Sequence, residues 1–404
     1  MIRDENAHSS HHETMLPAIS DISRYCGNYH IKTLLSDLLQ ESLTTKKRFV
    51  SLLHNHQKLY AQISTAGFAE LGTIHAQLTD IELERFNLSG SVPTLHDQCT
   101  EYRDALAQRT LKLLETEFVD TGEGEPPCRY ALISMGSDGR KEQTLITDQD
   151  YLIVYDDDGG EGADSWFERF GDRLVDRLEE VGFARCTGGI MTSNPTWRGS
   201  YSQWRKRLFS IVRYEVEDFA KNMMDLIVLS DARYVSGDRT LGDRLTELIR
   251  DLEREHFQVM WGMARAATEM KLALGFMRKL WVEPAGEHKG EFNIKLLAWA
   301  PLVMNVRILA ISLGLQATNT IERINFLEQE GSLSDEMAEG LREAYYLLTK
   351  QRIMLQIKQI NGQQKDSYYL DPLLLSHDDR EDIRQAVIRI EELQKLIHTN
   401  FNIV

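Results

Sequence analysis

Gly136–Asp150, GSDGRKEQTLITDQD, is the stretch on which the reading of this chain turns. It holds a Gly-Ser turn, two basic residues, and two acids at i and i+2. Before it, Arg129–Met135 (RYALISM) reads as a short strand. After it, Tyr151–Tyr155 (YLIVY) is aromatic and β-branched, as a buried strand should be. Two acids with one residue between them share a face only on extended backbone, where side chains alternate and their α-carbons stand roughly 6.5–7 Å apart. Asp148 and Asp150 are therefore predicted on one face at the head of a strand. Two bare carboxylates about 4 Å apart repel by roughly 4 kcal/mol at an effective dielectric near 20. A divalent cation removes that cost, and hard oxygen donors favour magnesium or manganese. The alternative is a pair of solvated acids at a strand end.

The turn supplies the opposite charge. Gly136 lets backbone come close to a phosphate, and successive amides there can form an anion nest. The Ser137 hydroxyl can donate to a phosphate oxygen, and Gly139 adds a second flexible point. Arg140 offers a planar fork that matches phosphate geometry, and Lys141 a point charge. The order strand, glycine turn, short basic helix, strand opening with two acids suits a nucleoside triphosphate bridged by metal. Other glycine motifs do not fit: no Gly-Lys-Ser/Thr of a P-loop is present, and the turn lacks G-x-G-x-x-G. The acidic run Asp156-Asp157-Asp158-Gly159-Gly160 lacks EF-hand spacing and reads as a turn.

Gly136-Ser137, ten residues, then Asp148-x-Asp150 resembles the signature of the DNA polymerase β nucleotidyltransferase superfamily. The fuller string, GS-x-GR-x-EQ-x3-TDQD, resembles the DUF294 group of nucleotidyltransferases, related to PII uridylyltransferase and glutamine synthetase adenylyltransferase. The resemblance implies that Asp148 and Asp150 are metal ligands and that a later strand brings a third acid. Leu226–Asp231 (LIVLSD) is the apolar run expected to be that strand, with Asp231 as the third ligand and Asp225 as the alternative. Arg233 then either faces the triphosphate or braces the acid. Two magnesium or manganese ions, with the triphosphate as co-substrate, are the implied cofactors.

The likeness extends through Gly188–Met191 and Asn194–Ser200, where Asn-Pro marks a turn and puts Trp197 and Arg198 on a loop. Core packing is the other reading of Trp197 and Trp204. Phe292–Lys295 and Asn319–Arg323 resemble the helical substrate-binding region of the same group. That part assigns no catalytic residue, and Lys295 is only a candidate for the cleft.

The implied fold is α+β: a small polymerase-β-like sheet with helices, flanked by an N-terminal helical region and a C-terminal helical bundle. The expected divisions are 1–120, 121–240 and 241–404, with TGEGEPP (121–127) as a linker. Leu34–Leu43 and Tyr102–Leu114 carry helical spacings, as does 166–181. Asn319, Ser334 and Ser376 read as helix caps, and Asn361-Gly362 as a helix end. The methionines from Met260 to Met277 read as core filler. In a chain of 404 residues, 62 acids against 46 bases give a formal charge of −16, which argues against a bulk nucleic-acid surface. Four scattered cysteines (Cys26, Cys99, Cys128, Cys186) indicate neither a zinc site nor a disulfide framework. They suit a reducing compartment. A polar N-terminus without a signal core and the lack of an 18-residue apolar run point to a cytoplasmic location without a membrane span. His8, His11 and His12 fall in a polar leader with no expected metal role. Three acceptor readings stay open: a regulatory protein, a small molecule, or nucleotide binding for signalling without turnover.

Overall fold

The structure is a computed structural model describing residues 29–213 and 219–403. His8, His11, His12 and Cys26 lie outside the described residues. Contacts divide the chain into Met1–Lys58 and a larger compact unit, Leu59–Val404, which carries the regions discussed below. The fold is α+β, as expected. Helix α1 (Tyr29–Ile63) is followed by α2 (Phe68–Ser89) and α3 (Val92–Asp120). The mixed part comprises β1 (Tyr130–Ser134), β2 (Tyr151–Tyr155), α4 (Ala163–Val181), β3 (Arg198–Ser200), α5 (Tyr201–Val212), α6 (Phe219–Leu229) and β4 (Arg233–Gly237). Then come α7 (Arg239–Glu255), α8 (Phe257–Thr268), β5 (Phe292–Asn293), α9 (Ala300–Ser312), α10 (Thr320–Gln329), α11 (Asp335–Ile360), β6 (Tyr369–Leu370) and α12 (His377–Asn400).

The four-stranded sheet has the order β3-β2-β1-β4. β1 pairs antiparallel with β2, from Tyr130 opposite Tyr155 to Ser134 opposite Tyr151. It also pairs antiparallel with β4, with an irregularity between Leu132 and Ile133. β3 joins β2 in parallel. Every residue of β1 and β2 is buried because both faces are covered, which is why the strands read as continuous apolar runs. Ala131, Ile133, Leu152 and Val154 enter one core with the C-terminal helices. Tyr130, Leu132, Tyr151, Ile153 and Tyr155 enter the other, with α2, α3 and α4. The period-two alternation thus divides the strand residues between the two helical layers.

The expected caps hold: the side chains of Asn319, Ser334 and Ser376 accept backbone N–H groups at the starts of α10, α11 and α12. Three expectations need correction. Leu226–Asp231 is not a strand; its apolar run ends α6, and the strand follows as β4. A four-residue apolar run fits a buried helix as well as a strand, and here α6 buries Leu226, Ile227 and Leu229 in the C-terminal core. Met277 is not core filler: it is 75% exposed, with φ of 56°, in a turn. Lys295–Ser312 is long and apolar enough to span a bilayer by composition, but 72% of it is buried within the fold.

Candidate active site

Ser134, Tyr151 and Arg233 close the same end of the sheet, and the Gly136–Asp150 segment is built there. β1 runs into a single helical turn, Gly136–Gly139. Gly136 has φ of 59°, a left-handed conformation that favours glycine, and a β-carbon there would collide with Asp150 Oδ2. A β-carbon at Gly139 would collide with the Asp231 carbonyl. The Gly-Ser turn therefore lies directly against Asp150. The Met135 amide donates to the Asp150 carbonyl at 2.8 Å and fixes that approach. Ser137 is half-buried, and its hydroxyl has no partner among the described residues. Lys141 is exposed, with φ of 56°.

Helices from both sides hold the loop between turn and acids. Arg103 of α3, fully buried, donates to the Thr144 and Leu145 carbonyls at 2.5 and 3.0 Å. His96 Nδ1 lies 2.7 Å from the Gln143 carbonyl. From the C-terminal helices, Thr318 donates to the Gly139 carbonyl, Asn319 to the Arg140 carbonyl, and the Thr320 amide to Glu142. The segment Asn319–Arg323 thus works as a brace on the turn.

The strand proper starts at Tyr151, so the acids sit just before it. Extended geometry is kept by a parallel bridge between Asp148 and Ala184 and by the Gln149 amide donating to the Ala184 carbonyl at 2.9 Å. The Gln149 side chain turns the other way and donates to the Val175 and Phe183 carbonyls. One oxygen from Asp148, one from Asp150 and the sulfur of Cys186 lie within 4.8 Å of one another. Asp150 Oδ1 is buried and has no hydrogen-bond partner among the described residues. Burial, then the Asp148 charge, pushes the Asp150 carboxyl up to about 7. A buried carboxylate oxygen without a partner, beside a like charge, is a donor a divalent cation fits.

Asp231 is not brought into this group. Its carboxylate is fully buried between three guanidiniums: Arg140 at 2.5 Å, Arg323 at 3.2 Å, and Arg307. Burial alone would push it up, but Arg307, Arg140 and Arg323 hold it below the usual carboxylate range. The expected convergence of three acids therefore does not form here. The alternative, Asp225, lines a separate cavity with Trp197, Trp204 and Arg207. Both tryptophans are core residues, and Trp204 donates to the Ile153 carbonyl at 3.1 Å. Arg198 is buried and donates to the Thr192 carbonyl at 2.6 Å.

Arg140 and Arg233 are also committed elsewhere, whereas Lys141 is exposed. Arg140 Nε donates to Glu142 and its Nη1 to Asp231, so the expected phosphate fork is spent on a buried network. Arg233 grips Asp104 of α3 through two bonds, at 2.7 and 2.9 Å, and Asp138 at 2.8 Å. Of its two readings, the bracing one describes its contacts. Asp138 is pushed up to about 6 by burial, against the pull of Arg233.

Cations without a carboxylate come from the C-terminal helices instead. Lys295 opens a π-helical turn, Lys295–Trp299, a geometry found often at functional sites. Burial and then Arg352 hold its ammonium below the ordinary lysine value, against the fields of Asp148, Asp150 and Cys186. Its Nζ stands 5.0 Å from the centre of the Tyr368 ring. Arg352 is pushed down to about 10, mainly by burial, and its Cζ stands 4.0 Å from the Trp299 ring. Arg140 approaches the same ring at 5.5 Å. Among the described residues, neither Lys295 nor Arg352 forms an ion pair with a carboxylate. Arg352 and Cys186 gave no signal in the sequence: neither belongs to a spaced motif, and each is brought in only by packing.

Two family models match the chain. The family described as "Putative nucleotidyltransferase DUF294" matches residues 76–218, and "Putative nucleotidyltransferase substrate binding domain" matches residues 257–401. No curated protein matches the chain. The first match spans the turn and the acid pair, and the second spans Lys295, Arg323 and Arg352. The chain belongs to the DUF294 family, with both its DUF294 region and its substrate-binding-domain region matched.

Proposed function

We propose that this protein transfers a nucleoside monophosphate from a nucleoside triphosphate to a hydroxyl of a protein acceptor, with release of pyrophosphate. The observation that carries this is the juxtaposition at one sheet end: an acid pair with an unsatisfied buried oxygen, a Gly-Ser turn pressed against it, and cations lacking a carboxylate close by. Asp148 and Asp150 would hold a divalent cation, which would screen the triphosphate charge and polarise the phosphoryl oxygen. One cluster of three donors supports one cation site. The second ion of the expected pair would need a third acid, which Asp231 does not supply.

The chain's own residues then divide the work. The Ser137 hydroxyl has a free hydrogen to donate to a phosphate oxygen. Lys295 offsets the charge on the pyrophosphate as the bond from the α-phosphorus to its bridging oxygen breaks. Arg352 adds a fixed planar donor set, and Trp299 holds its guanidinium by a cation–π contact. The acceptor oxygen forms the new bond to the α-phosphorus and gives its proton to solvent or to a carboxylate. Positive groups in a partly dehydrated cleft stabilise the developing charge more than they would in water.

The rim supports a macromolecular acceptor. Tyr368, whose ring centre lies 5.0 Å from Lys295 Nζ, is 42% exposed, and Leu296 in the same helical turn as Lys295 is 56% exposed, so apolar surface accompanies this cation. The test is incubation with each α-labelled triphosphate and magnesium or manganese, with and without cell extract. Label on a protein band is the expected result. Label on a small product would move the acceptor reading to small molecules. Nucleotide binding with no pyrophosphate release would leave a binding module.

A further inference from the structure

Cys186 stands in the acid cluster by register. Asp148 pairs with Ala184 in a parallel bridge, so two residues further along each segment Asp150 and Cys186 lie side by side. The cysteine sulfur and one oxygen from each acid fall within 4.8 Å of one another, a spread that a single cation can span. One further observation points to a ligand there. Asp150 Oδ1 is shielded from solvent and has no partner among the described residues. Cys186 is itself in hydrogen-bond contact with the Asp150 carboxyl and with the Ile190 backbone N–H. The cysteine is also fixed by a turn in which Gly189 N–H donates to the Cys186 carbonyl at 3.1 Å. The Tyr151 amide donates to the Ile190 carbonyl at 3.3 Å and ties this turn to β2.

We propose that Cys186 is a direct ligand of the cation held by Asp148 and Asp150, giving an Asp-Asp-Cys site. This rests on the metal reading of the acid pair given above. On binding, a sulfur–metal bond forms and the thiol proton passes to solvent. A thiolate in the set shifts preference away from magnesium, which takes oxygen donors, toward thiophilic divalent ions such as zinc, cadmium and cobalt.

Cobalt is the probe. The wild-type chain titrated with cobalt should develop a near-ultraviolet thiolate-to-metal band. In Cys186→Ser that band should vanish while cobalt still binds, and cadmium affinity should fall at least ~10-fold, since even outer-shell losses reach that size. Magnesium affinity should change much less. A wild-type cobalt complex without the band, or an unchanged band in Cys186→Ser, overturns the assignment but leaves the acid-pair site standing. Failure of the wild-type chain to bind cobalt, cadmium or manganese would overturn both. A measurement free of mutation runs alongside: saturating cadmium should protect the Cys186 peptide of the wild-type chain from iodoacetamide. Cys128 serves as the internal control, since it bonds to the Asp156 carbonyl beyond the opposite end of β2. Equal alkylation of Cys186 with and without cadmium refutes the assignment.

Discussion

Replacing Asp231 with Asn separates the structure's reading of that residue from the one its motif suggested. The carboxylate is fully buried and balances Arg140, Arg307 and Arg323, which come from the Gly-Ser turn and from two C-terminal helices. Asn keeps the shape and one acceptor oxygen but removes the charge. Three guanidiniums then stay buried, with Glu142 the remaining carboxylate in direct contact with Arg140. Removing one partner of a buried ion pair typically costs ~3–5 kcal/mol, because the charge left behind is uncompensated. At about 2.1 cal/mol/K per residue for unfolding entropy, a unit of this size should lose roughly 4–7 °C in melting temperature. Urea unfolding, with calorimetry for the thermal transition, measures both. Manganese binding below the melt should survive in Asp231→Asn and disappear in Asp148→Asn. If Asp231→Asn melts with the wild type yet loses manganese and turnover, Asp231 is a working ligand and the burial argument is wrong.

Asp150→Asn should keep or raise the melting temperature, since it removes like-charge repulsion in a buried site, and should lower turnover at least ~100-fold; unchanged turnover in the labelled-triphosphate assay would exclude its role. Glu253, buried with Oε1 unsatisfied, is pushed up to about 8, chiefly by burial. Its folded form keeps a proton that the unfolded chain gives up near 4.5, so its stabilising contribution is complete below that pH and is lost as pH rises through about 8. Glu253→Gln should therefore match wild type near pH 4 and exceed it at pH 8.5 by up to ~4 kcal/mol in urea titrations, and equal stabilities at the higher pH would refute this. Arg352→Met should weaken triphosphate binding more than monophosphate binding in calorimetry, while an equal loss for both would make Arg352 a packing residue rather than a phosphate contact.

The local signals were legible in the sequence because they depend on neighbours along the chain. Gly136-Ser137 had to be a turn after a strand, and the i, i+2 spacing of Asp148 and Asp150 had to put them on one face of extended backbone. Asn319, Ser334 and Ser376 announced the helices they cap. What failed was whatever needed knowledge of the far partner. The run LIVLSD carries too few residues for its period to separate helix from strand, and packing against the C-terminal core made it α6.

Arg140 looked like a site residue because its type fits phosphate chemistry, and Asp231 because the family resemblance implied a third acid. The fold instead closes them on each other, since a guanidinium and a carboxylate buried together neutralise one another. Lys295, Arg352 and Cys186 reach the cleft only through tertiary packing and an inter-segment bridge, which no spacing along the chain encodes. Sequence alone thus determined the turn, the acid pair and their shared face, because backbone geometry over a few residues fixes them. Tertiary structure decided which charges remain available to a ligand, because that depends on which opposite charge burial has already placed beside each one.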